Sequence, residues 1–361
     1  MREVAVQVAA EVLREISAQI LAAAGSSAEE AGKVARRLVD ANLHGHDSHG
    51  VVRVPQYVGQ VRSGAIMPNQ QAEIISETDT VTVLDGHHGY GQIMGERSLQ
   101  MAIEKAARHG IAMSALRNSA HLGRLGDWAE LAADAGMTSL NFVNATGIPL
   151  RVVPHGGRDG RGTTNPIAMG IPVPGGPPVI LDFATSATAE GKVRIARNKG
   201  VEIPPDCLVD AEGNPTTDPN HLYADPPGSL LPFGGAVSGH KGGALWLMVD
   251  LLAGGLTGGG CSKPAADKPR FSSGMLSIVI APQAYGDVGA IGAEIQRYLG
   301  FVKSSRPRQP GGEVLLPGEP EQRARVEREA NGIPVDATTW DHIMAAAEEV
   351  GLDRAELAAK A

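Results

Sequence analysis

The stretch IAMSALRNSAHLGRLGDWAELAADAGMTSLNFV, residues 111–143, decides the fold class. Residues 111–116 are apolar except for Ser114, apolar residues recur at helical spacing through 127–135, and Leu140, Phe142 and Val143 mark 138–143, which predicts a strand, a helix and a second strand. Upstream, residues 73–75 and 81–84 read as short strands, and 95–109 as a helix with Leu99, Ile103 and Ala106 on one face. Downstream, residues 179–181 form an apolar strand ending at Asp182, and 187–198 a helix carrying Lys192, Arg194 and Arg197. An apolar helix at 245–252, a buried strand at 276–280 and a helix at 291–302 follow. This alternation indicates an α/β region with a mixed sheet.

The two ends differ from this middle. Leu13, Ile16, Ile20 and Leu21 lie at helical spacing, and Ser27-Ala28-Glu29-Glu30 is a capping-box pattern opening a helix with Val34, Leu38 and Ala41 on one face. Residues 321–330 and 339–350 read as helices. Residues 204–235 hold seven prolines and are predicted to be loop, as is 303–320. We therefore expect residues 1–75 with 285–361 to form a mostly helical domain, and 76–284 an α/β cofactor-binding domain.

Composition narrows the function. With 361 residues and 42% hydrophobic content the chain can build a substantial core, and 46 Gly with 24 Pro imply many ordered loops. Aromatics are only 4%, so stacking platforms for single-stranded nucleic acid are scarce. A net charge of -8 repels phosphate backbones and anionic lipids. These features argue against nucleic-acid and membrane partners. Cys207 and Cys261 lack CxxC spacing and are too few for a disulfide framework, and the first 25 residues carry no uninterrupted apolar segment, so a reducing cytoplasm is expected.

The usual phosphate signatures are missing. No Gly-x-Gly-x-x-Gly occurs, so a Rossmann dinucleotide site has no support, and Gly234 to Lys241 only imitates a P-loop. His44, His46, Asp47 and His49 could suggest a metal site, because imidazole and carboxylate are common ligands. His44 and His46 also read as helix-end histidines facing water and the helix dipole, whereas His49 differs in having Arg53 four residues on. Arg53 stands two residues before Pro55, hence at a helix start, where it is either a surface cation or a two-point clamp for a carboxylate. His121 sits in a strand-to-helix turn, either as a structural histidine or as a group exchanging protons near neutral pH.

Seven motifs in order along essentially the whole chain resemble the malate/lactate dehydrogenase type 2 family, which includes ureidoglycolate and sulfolactate dehydrogenases, diketogulonate reductase and reductases of cyclic imino acids. They are His46-Asp47-Ser48-His49-Gly50, residues 118–126 around His121, Thr164-Asn165-Pro166, Leu181-Asp182-Phe183-Ala184-Thr185-Ser186, Pro215-Thr216-Thr217-Asp218-Pro219, His240-Lys241-Gly242 and Leu316-Pro317-Gly318-Glu319. The resemblance implies a homodimer with a non-Rossmann site for NAD or NADP and no metal, interconverting 2-oxo and 2-hydroxy acids. It places His121 as the acid/base, with His49 and Asp182 beside it, and Arg53, Tyr57 and Ser48 on the substrate. His49, Gly123, Arg124, Leu125, Ile180, Leu181, Asp182, Phe183, Ala184, His240, Lys241, Ser273, Gly318, Glu319, Pro320 and Glu321 would line the cofactor. An alternative is reduction of cyclic imino acids on the same fold, and a further one a metal-dependent hydrolase using His44, His46 and His49. Departures from the family pattern are Gly243 in place of Tyr, Thr163 in place of Gly, Ser273 in place of Asn, and residues 234–239, which read as an insertion.

Overall fold

The computed structural model describes residues 6–264 and 270–360. From the N-terminus it runs β1 (Val6–Val8), α1 (Ala10–Ala23), α2 (Ala28–Leu43), α3 (Val54–Arg62), β2 (Glu73–Glu77), β3 (Val81–Asp85), α4 (Gly91–His109), β4 (Ile111–Ser119), α5 (Gly126–Asp134) and β5 (Thr138–Thr146). There follow β6 (Ile167–Ile171), β7 (Val179–Phe183), α6 (Glu190–Lys199), the two-residue strands β8 (Leu208–Val209), β9 (Pro215–Thr216) and β10 (Ser229–Leu230), and α7 (Gly235–Asp250). The last elements are β11 (Ser272–Ile280), α8 (Val288–Lys303), α9 (Glu319–Asn331), β12 (Ile333–Val335), α10 (Ala337–Glu349) and α11 (Arg354–Ala358).

Seven strands form one mixed sheet in the order β2-β3-β4-β11-β5-β6-β7. Only β3 and β4 pair in parallel, as they can because α4 supplies the crossover between them. The late strand β11 is wedged antiparallel between β4 and β5, with Ser273 opposite Ser119 and Ala145. Helices α4 and α5 cover the sheet over a core of Leu84, Leu99, Leu116, Trp128 and Met275.

A second core joins both ends of the chain. Leu13, Ile16, Ile20 and Leu38 pack with Ile333, Val335, Ile343 and Leu357, and burying each such side chain contributes roughly 1.5–3 kcal/mol. Strand β1 pairs with β12, which ties the N-terminal segment to the C-terminal one. A third, smaller core of Val152, Leu208, Leu222, Leu230 and Trp246 lies under β8, β9 and β10, so 204–235 is more ordered than its prolines suggest.

Three details correct the sequence reading. Ser27 caps α2 by accepting the Glu30 N–H, but the Glu30 carboxylate accepts the Asn69 N–H instead of closing the box. Strand β6, with Gly170 inside it, is not among the strands expected from the sequence. A Cβ there would stand 2.5 Å from Ala129 O, so the glycine is what lets α5 lie on the sheet. Helix α7 begins at Gly235, ahead of the helix expected from 245, so residues 235–239 are already helical. A Cβ at Gly242 would meet Phe233 O at 1.9 Å, which explains a glycine where helix propensity disfavours one.

Candidate active site

The segment between α2 and α3 is held by one buried amide. Asn42, near the end of α2, accepts the Val51 N–H at 2.8 Å and donates to Asp47 at 2.7 Å. Gly50 packs on it so closely that a Cβ would stand 2.1 Å from Asn42 Oδ1. Arg328 of α9 donates to the other side of the same turn, to Asp47 at 2.6 Å and to the Asn42 carbonyl. Ser48, His49 and Arg53 are thereby fixed on a turn braced from two directions.

His121 arrives from the sheet. After β4 the chain turns across the start of α4, where a Cβ at Gly91 would lie 2.2 Å from His121 O. Its imidazole stacks on His49, with ring centroids 5.4 Å apart and planes 20° apart. Nδ1 lies 2.8 Å from Tyr57 Oη, which accepts from Gln92 Nε2 at 2.8 Å. Phe271, just before β11, stands 6.5 Å from the same ring. Burial, then the charge of Arg53, then His49, hold the His121 pKa well below the usual imidazole range. Burial first, then Arg53, pushes His49 down to about 3. Both rings are neutral at pH 7.

Arg53 donates Nε–H to the Ser48 carbonyl at 2.7 Å and Nη1–H to Gln56 at 2.8 Å. Among the described residues no carboxylate pairs with it, so a half-buried cation faces the histidines with Nη2 uncommitted. Ser48 Oγ is 3.0 Å from His49 Nδ1, which orients that ring. Tyr57 is fully buried and serves His121 rather than the open side of the site.

The candidate cofactor segments divide into two groups. Gly318, at φ +95, lies against Ile180, whose N–H donates to the Pro317 carbonyl at 3.2 Å. Glu321 then reaches His46, Oε1 to Nε2 3.4 Å, with Glu319 and Pro320 in the same first turn of α9. Gly123, at φ +72, turns the chain just before Arg124 and Leu125, both buried. These segments meet near the histidines through Asp182, which feels the charges of His46 and Arg124.

Other expected positions are committed elsewhere. Arg124 is turned inward and ion-paired with Asp127 at 3.0 Å and Glu130 at 2.8 Å, because a buried guanidinium needs carboxylates. Asp182 accepts the Gly126 N–H at 2.7 Å at the start of α5; burial raises its pKa. Phe183 meets Phe233 at 5.4 Å, and Leu181 and Ala184 flank it on and just after β7. Ser273 is buried inside the sheet. His240 and Lys241 are exposed on α7, where the His240 ring meets His155 at 5.7 Å.

The three histidines considered for a metal do not converge. His44 binds the Asp40 carbonyl and faces Glu130, His46 faces Glu321, and His49 binds Ser48. Among the described residues no group of three or more metal-ligating side chains comes together. No helix among them is long and apolar enough to cross a membrane.

Gln92 and Asn42 are the residues that sequence reasoning missed. Each is a polar group on the apolar face of its helix, Asn42 one turn beyond Leu38 and Gln92 two turns before Leu99. A buried amide at such a position needs partners, and that was the available signal.

Comparison with known proteins identifies the family. Hydroxycarboxylate dehydrogenase B from Escherichia coli is 41% identical over 338 residues, covering 93% of this chain and 92% of that protein. The solved sulfolactate dehydrogenase from Methanocaldococcus jannaschii superposes with a TM-score of 0.87 at 32% identity, covering 97% and 99%. Delta1-piperideine-2-carboxylate reductase from Pseudomonas syringae gives a TM-score of 0.79 at 31% identity, covering 94% and 99%. Residues 8–344 match the malate/L-lactate dehydrogenase family, and the chain belongs to that family.

Proposed function

We propose that this chain interconverts 2-hydroxy and 2-oxo acids by hydride transfer with NAD or NADP, as a cytoplasmic homodimer. The single observation that carries the reading is the uncommitted Arg53 guanidinium beside a neutral, hydrogen-bonded His121. A 2-oxo acid offers a carboxylate and a carbonyl on adjacent carbons, the pair that a cation next to an acid/base would grip.

The site suits a dinucleotide in kind. Gly123 and Gly318, both at positive φ, turn the chain tightly against Gln92 and Ile180, and the stacked imidazoles offer a flat face. Helix α6 begins beside Ser48 with no side-chain cap and carries Lys192 and Arg194 in its first turns, a positive end for a pyrophosphate. Gly123, Leu125, Ile180, Leu181 and the turn from Gly318 to Glu321 would hold the group, which supplies or accepts a hydride when bound.

This chain's own residues handle orientation and the proton. Arg53 pairs with the substrate carboxylate and fixes which face of C2 is presented. Neutral His121 accepts the hydroxyl proton at Nε2 during oxidation and returns it during reduction. Arg53 is the second cause of the low His121 pKa. A carboxylate bound to it offsets that charge, so substrate binding raises the proton affinity of His121 when it is needed.

Supporting the homodimer, α7 and the turn after it expose Val237, Met248 and Leu256 at 85%, 52% and 68% in the single chain, an apolar surface that a second copy would cover. Light scattering at micromolar concentration tests this, and a monomer refutes it. Both cysteines are free thiols, in keeping with a reducing compartment.

NADH and NADPH consumption with oxaloacetate, 2-oxoglutarate, phenylpyruvate, pyruvate and a cyclic imino acid tests the activity. Turnover of a 2-oxo acid that falls about a hundredfold or more in His121→Ala supports the reading, and unchanged turnover in that variant removes it. Arg53→Ala should raise KM for carboxylate substrates, and an unaltered KM removes the clamp. Likeness to the piperideine carboxylate reductase favours one second reading, reduction of cyclic imino acids. A strong preference for the cyclic imine in the same panel would establish it.

A further inference from the structure

The chain Gln92–Tyr57–His121 can run in two directions, and each assigns the imidazole proton differently. As the structure stands, Gln92 Nε2–H donates to Tyr57 Oη, so Tyr57 O–H donates to His121 Nδ1 and the ring proton sits on Nε2. Gln92 Oε1 is left buried without a partner, on a side chain only 1% exposed. With the amide reversed, Oε1 accepts from Tyr57 O–H, Tyr57 Oη accepts Nδ1–H, and Nε2 carries the lone pair.

Only the second direction serves acid–base work. The base form needs a bare Nε2, and the acid form is an imidazolium; both carry hydrogen on Nδ1. In the first direction Nε2–H could leave only by making an imidazolate. The unpaired Gln92 Oε1 is the acceptor that the working direction requires.

We propose that Gln92 is a positioning residue whose side-chain amide, by turning end for end, selects which nitrogen of His121 bears the proton and so switches the ring between an inert and a working tautomer. The inference rests on His121 being the acid/base, as argued above. No proton passes along the chain: the substrate hydroxyl proton goes to Nε2, and Tyr57 and Gln92 only reverse their hydrogen bonds. An amide suits this task because it donates at one end and accepts at the other, whereas a carboxylate would hold one direction permanently.

The groups facing His121 come from several elements. His49 stacks on it from the turn after α2, Arg53 lies at the start of α3, Tyr57 is on α3, and Tyr90 stands beside Tyr57 at the start of α4. Glu190 and Arg194 of α6 face Arg53, while His46 and Arg124 face His49. Among the described residues no carboxylate contacts His121, so the neutral amide is left to set its tautomer.

The test is nitrogen-15 NMR of histidine-labelled protein, which reads the tautomer directly, together with the pH profile of kcat in the oxidation direction. Gln92→Glu supplies a permanent acceptor: it should lock Nδ1–H and move the acid limb of the profile up by about one pH unit. Gln92→Leu leaves Tyr57 only Nδ1 to donate to: it should fix Nε2–H and lower kcat about tenfold or more, with KM little changed. A packing role would move both variants the same way and leave the tautomer untouched, and that result overturns the proposal. Should Gln92→Leu fail to fold, Gln92→Glu with Tyr57→Phe carries the test. If His121→Ala kept its turnover while the tautomer still followed Gln92, the acid–base reading would fail and the positioning would stand.

Discussion

Gly91→Ala sets helix propensity against the geometry of the site. In an isolated helix alanine is favoured by about 1 kcal/mol over glycine. Here the added Cβ would stand 2.2 Å from His121 O, 2.5 Å from its carbonyl carbon and 2.7 Å from Ala120 O. Comfortable contact begins near ~3.5 Å, so the His121 backbone or the first turn of α4 has to shift by roughly 1 Å. Neither yields freely, because Ala120 N–H donates to Gly89 O at 3.0 Å and Met94 N–H to Tyr90 O at 3.0 Å. Overpacking of this kind costs about 1–3 kcal/mol, enough to cancel the propensity gain or exceed it. A displacement of ~1 Å at a positioned catalytic group lowers kcat about a hundredfold. The assay is kcat for 2-oxo acid reduction with thermal unfolding on the same preparation. Gly32→Ala, on α2 with nothing within 4 Å of its added Cβ, serves as control and should be stabilised by up to ~1 kcal/mol. If Gly91→Ala matched the control in stability and the wild type in kcat, the argument that Gly91 seats His121 would be wrong.

Other changes test other parts of the site. Asn42→Ala leaves the buried Val51 N–H unpaired and removes one donor from Asp47, which keeps Arg328; this should cost about 1–3 kcal/mol and raise KM for the carboxylate substrate; denaturant unfolding and steady-state kinetics check both. Acid should destabilise the protein early. His49 stays neutral in the fold down to about 3, and the depressed His121 also stays neutral, while in the unfolded chain both protonate near 6.5. The unfolded chain therefore binds more protons below pH ~6.5, and stability falls as pH drops, by about 1 kcal/mol between pH 6 and pH 5 for His49, with His121 acting in the same direction. Unfolding midpoints measured from pH 7 to 5 should decline, and less steeply in His49→Asn; a flat profile would contradict the burial argument.

Where periodicity was strong, the sequence was a good guide. The strand-helix-strand at 111–143 and the helices near both ends appear where their spacing puts them. What it concealed are features set by partners far along the chain. Nothing near Ser273 says that β11 will part β4 from β5, and Gly170 and Gly242 look like breakers until their neighbours at Ala129 and Phe233 are known. The same holds for the site. His49, Arg53 and His121 announce themselves by chemistry, but Arg124 and Asp182 sit within matching motifs and spend their side chains on Glu130 and Gly126. Gln92 belongs to no motif and is found only because Tyr57 needs a second partner.

The strand at the sheet's centre is supplied after all its neighbours have been made. Until β11 has been synthesised, β2–β4 and β5–β7 can pair only as two half-sheets, each leaving unpaired N–H and C=O groups along the edge where β11 belongs. At ordinary elongation rates that interval lasts on the order of ten seconds. The helical core waits longer, for Ile333 to Leu357. Fragments ending before Ser272 should collect in the insoluble fraction, and a soluble, sheet-containing fragment of that length would show that the two halves can stand without the strand that joins them.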